Sequence, residues 1–183
     1  MNKIFTFLAF CLFAFFGYGI YDNLKKEDTK KEVRVPCQKK TVTFEQFSNI
    51  KLIREAIDLL KTNNYKIISR IELSKYMESK ILNYITKEKA DQLLINTINK
   101  YIKEKKDSTK KLVIDYYIYE NDKEDKGKKS EKAKLYAGYL VFVFKLDGKQ
   151  IYKIQTDFMK MDTSDIPDRM DCVIKSFITI KGK

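Results

Sequence analysis

The stretch KLYAGYLVFVFKLDGKQIYKIQTDFMK, residues 134–160, constrains the fold more than any other part of the chain. Two runs rich in β-branched and aromatic residues meet at Asp147-Gly148. That pair is favoured in two-residue type I′ turns, where both central residues take positive φ. The spacing predicts an antiparallel hairpin. Just upstream, KKLVIDYYIYE (residues 110–120) has the same composition and reads as another strand, so the last three strands form an antiparallel meander. Between them, residues 121–132 contain no apolar side chain and read as a solvated loop. Tyrosines alternate along these strands, which places them on a sheet surface, in its core, or on a face that contacts a ligand.

The remaining pattern is mixed. Residues 41–44 read as a short first strand. Ser48 or Asn49 is positioned to cap a helix in which Ile50, Ile53, Ile57 and Leu60 recur at helical spacing, and Asn63-Asn64 ends it. YKIISRIEL, residues 65–73, reads as a strand. Ser74 opens a second helical stretch with Met77, Ile81, Tyr84 and Ile85 on one side. Thr86 caps a third, striped by Ala90, Leu93, Leu94, Thr97, Ile98, Tyr101 and Ile102. Near the end, TSDIPDRMDCVIKSFI predicts a final helix. Ser164 or Asp165 caps it, Pro167 fits its first turn, and Asp165 and Asp168 suit the positive end of its dipole. Ile166, Met170, Val173 and Phe177 give it an apolar face. The expected order is β-α-β-α-α-β-β-β-α, a two-layer α+β domain over residues 41–183 with the C-terminal meander packed against helices.

The first residues address compartment. Ile4 to Tyr21 carries no charge, and a spanning helix needs about 20 apolar residues, so the run is barely long enough to cross a bilayer. Ile4 to Phe16 has the length of a secretory core, and Gly17-Tyr18-Gly19 offers a small-x-small cleavage site. Residues 1–19 are therefore a signal peptide or a membrane anchor, and residues 20–40 a polar linker. Phe10 stands where lipoprotein processing wants a small residue before Cys11, which argues against a lipid anchor. Lys25, Lys26, Lys30, Lys31 and Arg34 oppose export by the positive-inside rule. Cys37 and Cys172 favour it: they flank the folded region and would pair in an oxidising compartment, the other reading being two independent thiols. On balance the domain is expected in the periplasm or another extracytoplasmic space, either free after cleavage or tethered to the inner membrane through residues 4–21.

The 183-residue chain has no histidine, which removes Ser-His and Cys-His catalysis and the usual zinc sites. Two Ser-x-x-Lys spacings, Ser48 to Lys51 and Ser108 to Lys111, lack the companion boxes of penicillin-binding enzymes and are explained by abundant lysine. Asp157, Asp162, Asp165, Asp168 and Asp171 are dense enough in oxygen for calcium, but the Gly-containing calcium loop is missing. No Gly-rich phosphate loop occurs. The expectation is no enzyme, no cofactor and no metal. A net charge of +12 favours anionic partners, and it is equally read as a compositional bias. Nucleic acid is not expected, because the chain reads as exported and its lysines are interleaved with acids. The partner expected is a protein or an anionic envelope component.

One longer pattern adds to this. A helix, then LLKTNNYKIISRIELSKYME, then a later strand meander resembles the envelope domains related to the amino-terminal domain of TolB and to curli-secretion lipoproteins. In those a helix leads into a strand that ends near an Arg-x-x-Leu turn, as Arg70-Ile-Glu-Leu73 does here. The resemblance implies a non-catalytic adaptor in envelope assembly and transfers no individual residue. The leading expectation is an exported, non-enzymatic envelope protein that binds another macromolecule. The alternative is an exported immunity or inhibitor protein that neutralises a toxin or hydrolase.

Overall fold

The computed structural model describes residues 33–128 and 130–181. The readings made on residues 1–32, including the signal or anchor and Cys11, lie outside the described residues. Among the described residues, no helix is long and apolar enough to cross a membrane.

Among the described residues eight main elements follow in order: β1 (Thr43–Phe47), α1 (Ile53–Lys61), β2 (Tyr65–Glu72), α2 (Lys87–Asn99), β3 (Leu112–Glu120), β4 (Gly138–Leu146), β5 (Lys149–Phe158) and α3 (Ile166–Ile178). The strands form one five-stranded sheet in the order β1-β5-β4-β3-β2. β3, β4 and β5 are the expected antiparallel meander. β1 adds antiparallel to β5, and β2 adds parallel to β3, with α2 in the connection. The fold is α+β with a mixed sheet.

Local chemistry accounts for most boundaries. Asp147 and Gly148 turn the β4–β5 hairpin with φ of 50° and 73°, the left-handed pair that a type I′ turn needs. Thr86 Oγ1 accepts the Lys89 amide at 3.2 Å and starts α2. Asn49 does not cap α1 with its side chain; its Nδ2 donates to the Gln150 carbonyl, and a short 3₁₀ turn, Ile50–Leu52, precedes the helix. Asp165 occupies the cap position of α3, yet its carboxylate accepts the Met159 and Lys160 amides instead.

One expected element is absent. The helix predicted from Ser74 onward is a loop holding a single 3₁₀ turn, Ile81–Asn83, so the order is β-α-β-α-β-β-β-α. The apolar spacing there is real, and Ile81 and Ile85 are buried, but the backbone donors of Ser74, Lys80 and Ile81 go to Glu120 rather than to a helix ladder.

Helices α1, α2 and α3 contribute to one core with the inward residues of the sheet, among them Ile114, Tyr116, Phe142, Phe144, Tyr152 and Ile154. Phe177 of α3 stacks on Phe144 with ring centroids 4.1 Å apart. Burial of side chains this large contributes about 1.5–3 kcal/mol each, so the helical layer is what stabilises the sheet.

Arg34–Lys40, the end of the stretch read as linker, belongs to the domain. Arg34 pairs with Glu45 at 2.5 Å and donates to the Ser176 carbonyl at 2.6 Å. Gln38 is buried and donates to Ser176 Oγ at 3.0 Å. Cys37 and Cys172 are joined by a disulfide, with Cα atoms 5.8 Å apart. The bridge fastens this segment to α3.

Candidate binding face

The helices pack on one side of the sheet; on the other, Val141 and Asp157 are buried, the tyrosines are half-buried, and Ile68, Phe44 and Gln46 are exposed. Strand register arranges these residues in rows. One row runs Glu72, Tyr119, Tyr139 and Asp157 across β2, β3, β4 and β5. The next runs Arg70, Tyr117, Val141, Gln155 and Phe44. A third holds Ile68, Asp115, Val143, Lys153 and Gln46.

The tyrosines form a cluster. Tyr119 stacks on Tyr139 at 4.7 Å between centroids, and Tyr117 meets Tyr139 edge-on at 6.5 Å. The Arg70 guanidinium lies over the Tyr117 ring, 4.4 Å from its centroid, while bonding Glu72 at 2.9 Å. Lys145 pairs with Asp115 at 2.8 Å. Burial pushes the Tyr139 hydroxyl up to about 12, with the neighbouring Tyr117, Tyr119 and Glu72 adding to it, so this face is a set of neutral phenols at any physiological pH.

The rows end at a cavity of about 540 Å³, at the carboxyl ends of the parallel strands β2 and β3. Tyr119 and Glu72 belong both to the row and to the cavity. Leu73, Lys75 and Tyr76 come from the loop after β2, and Asp122 and Asp125 from the loop after β3. Openings at the carboxyl ends of parallel strands are recurrent ligand sites, because both following loops diverge there.

Two buried acids build this end. Glu120, 1 % exposed, accepts the amides of Ser74, Lys80 and Ile81 and the hydroxyls of Ser74 and Ser79, the last at 2.5 Å. Burial alone would raise its pKa, but the Ser79, Lys80 and Ser74 donors outweigh burial and hold the carboxyl below the usual range. Asp122 takes the Lys75 and Tyr76 amides on Oδ2 at 2.6 and 2.7 Å. Neither carboxylate was marked by sequence reasoning. An acid closing an apolar strand, followed by Asn121-Asp122, was the available signal.

The other residues singled out from sequence scatter. Tyr116 points the opposite way from Tyr117: its buried hydroxyl donates to Asp91 at 2.7 Å, beneath the sheet. Ser108 Oγ accepts the Lys110 amide while Lys111 bonds Asn64, and Lys51 lies along an open groove on α1. The aspartates disperse likewise. Asp157 is buried in β5, Asp165 serves Met159, Lys160 and Arg169, and Asp171 bonds Tyr101 and Lys175. Among the described residues, no group of three or more Cys, Asp or Glu side chains is placed to hold a metal.

Comparison with protein-family models, with curated proteins and with solved structures finds no match for this chain.

Proposed function

We propose that this chain is an exported, non-enzymatic envelope protein that binds another macromolecule on the face of its sheet opposite the core helices, an adaptor of the kind its resemblance to envelope-assembly domains implies. The single observation that supports the reading is the arrangement of that face. Tyr117, Tyr119 and Tyr139 are clustered between Arg70, Glu72, Asp115 and Lys145, outside the core that stabilises the fold. Aromatic side chains flanked by charges of both signs are the composition of a protein docking surface, where rigid rings give contact area and arginine gives oriented hydrogen bonds. The mix of signs favours a protein partner over an anionic polymer, which would prefer an unbroken basic surface.

A photo-crosslinking residue placed at Ile68 or Gln46, both exposed on the open face, tests this in the native host. Specific adducts from these positions, and none from Glu88 on the helical side, are expected. Adducts from Glu88 with none from Ile68 and Gln46 would overturn the docking face.

A further inference from the structure

The cavity at the end of the tyrosine rows gathers three carboxylates, with the chain's own Arg70 and Lys128 beside them, on a chain whose net charge is +12. Glu72, Asp122 and Asp125 line it against a single lysine, Lys75, and Tyr76 and Tyr119 supply two rings. Asp122 is 1 % exposed, and its Oδ1 has no hydrogen-bond partner, although the Glu124 amide nearby also favours its ionised form. A buried carboxylate oxygen with no donor in good geometry carries a desolvation cost that a well-placed incoming donor would relieve.

The chain's own cations show what these groups attract. Lys128 Nζ stands 5.9 Å from the Tyr119 ring centroid while it donates to Asn121 Oδ1 and, at 2.7 Å, to the Asp122 carbonyl. One row away, Arg70 lies over Tyr117 with Glu72 as its anion. The local field agrees: burial raises the Tyr119 hydroxyl first, and then Asp122, Asp125 and Glu72 all raise it further. Cations over phenol rings gain most where carboxylates stand beside the ring.

We infer that this cavity binds a guanidinium or alkylammonium group, the end of an arginine or lysine side chain on a partner segment that crosses the sheet face. Arginine is the better fit, because its planar head stacks on a tyrosine while its fork of donors meets carboxylates. The inference rests on the docking reading only in giving the cation to a macromolecule; the affinity of the cavity for the cation stands apart from it.

The test uses the full chain, oxidised, in an amide-resolved NMR titration with an acetylated tetra-arginine amide. Tetra-lysine and tetra-glutamate serve as comparisons. Expected are saturable shifts centred on Tyr76, Tyr119 and Asp125, weaker with tetra-lysine and absent with tetra-glutamate. The double variant Glu72→Gln, Asp125→Asn should weaken tetra-arginine binding about fivefold, as loss of partly exposed charge pairs does. Tyr76→Ala removes an exposed ring without touching Glu120 or the core and should also weaken it, which keeps the test open if the double variant folds poorly. Shifts spread over Asp58 or Glu88, or binding unchanged in a folded variant, would overturn the assignment. Failure here with specific adducts still forming at Ile68 would remove the cation site and leave the docking face standing; the reverse pattern would do the opposite.

Discussion

Glu120 offers the most stringent test of how the loop after β2 is held. Its carboxylate accepts from three backbone amides and two serine hydroxyls, at 2.5–3.3 Å, from a segment whose sequence alone reads as helix. Replacing it with glutamine keeps the volume and removes the charge. One oxygen then becomes an amide nitrogen, which can accept nothing and faces donors. Hydrogen bonds to a charged group contribute about 1.5–3 kcal/mol each, but a loop can partly relax into water and such losses do not add. We expect Glu120→Gln to cost about 2 kcal/mol. Glu120→Ala, which abandons the buried donors and leaves a void, should cost about 3–5 kcal/mol, the range for breaking a buried charged pair.

The pH dependence supplies an independent sign. The folded pKa of Glu120 is lowered, so its contribution is fully present above the ordinary glutamate range and is lost as pH falls through the folded value. Urea unfolding at pH 7 and again in the acid range measures both effects. Hydrogen exchange at the Lys80 and Ile81 amides localises them. Should Glu120→Gln unfold at the same urea concentration as the parent, with those two amides equally protected, then the carboxylate is not what shapes the loop.

Three further outcomes are expected. Asp157 is 4 % exposed, and burial raises its carboxyl to about 6, against opposing pulls from Gln155 and Arg169. Its folded pKa is raised, so stability from this group is present below pH 4 and falls by about 3 kcal/mol as pH climbs to about 6; Asp157→Asn should flatten that fall in a stability-versus-pH series. Reduction of Cys37–Cys172, which closes a separation of 135 residues, should lower urea stability by up to about 5 kcal/mol, and a change below about 0.5 kcal/mol would contradict a constraint on the unfolded chain. Gly138→Ala would place a Cβ 2.1 Å from the Tyr119 carbonyl oxygen and 2.5 Å from the Phe158 ring, so a loss of about 3 kcal/mol or more is expected by thermal or urea unfolding.

Much of the fold was legible because it is local. The β4–β5 hairpin follows from two adjacent residues that accept positive φ, and α2 follows from one threonine hydroxyl and a stripe of apolar residues. The Cys37–Cys172 bridge was legible as a candidate from number and position, though spacing alone left two separate thiols equally open. What failed was long-range. Residues 74–86 carry helical spacing, but Glu120 lies some forty positions away in sequence and its five donors override a weak local preference. The parallel pairing of β2 with β3 has no local marker, so neither the cavity at their carboxyl ends nor the row from Glu72 to Asp157 was available from sequence. Alternating tyrosines were visible. Which of Tyr116 and Tyr117 faces the helices depends on register, and a shift by one residue would exchange them.

The separation of the two sheet faces explains how an open aromatic surface persists. Sheets invite unwanted pairing chiefly at their edges, where backbone donors are bare, and charged side chains on edge strands suppress it. β2 is such an edge, and exposed Lys66 and Arg70 stand along it. On the face itself every apolar or aromatic row is bordered by ions: Arg70 and Glu72 around Tyr117 and Tyr119, Asp115 and Lys145 beside Val143. These pairs are partly exposed and add little to stability, within about 1 kcal/mol each. On the proposed docking reading their effect is on association. A second copy of the chain laid on this face would meet the same charges and a like net charge of +12, whereas a partner with its own pattern of acids and bases would find each ion answered. The helical layer thus supplies the main packing that holds the fold, which is the condition under which the half-buried Tyr117, Tyr119 and Tyr139 on the opposite face could be shaped for a partner.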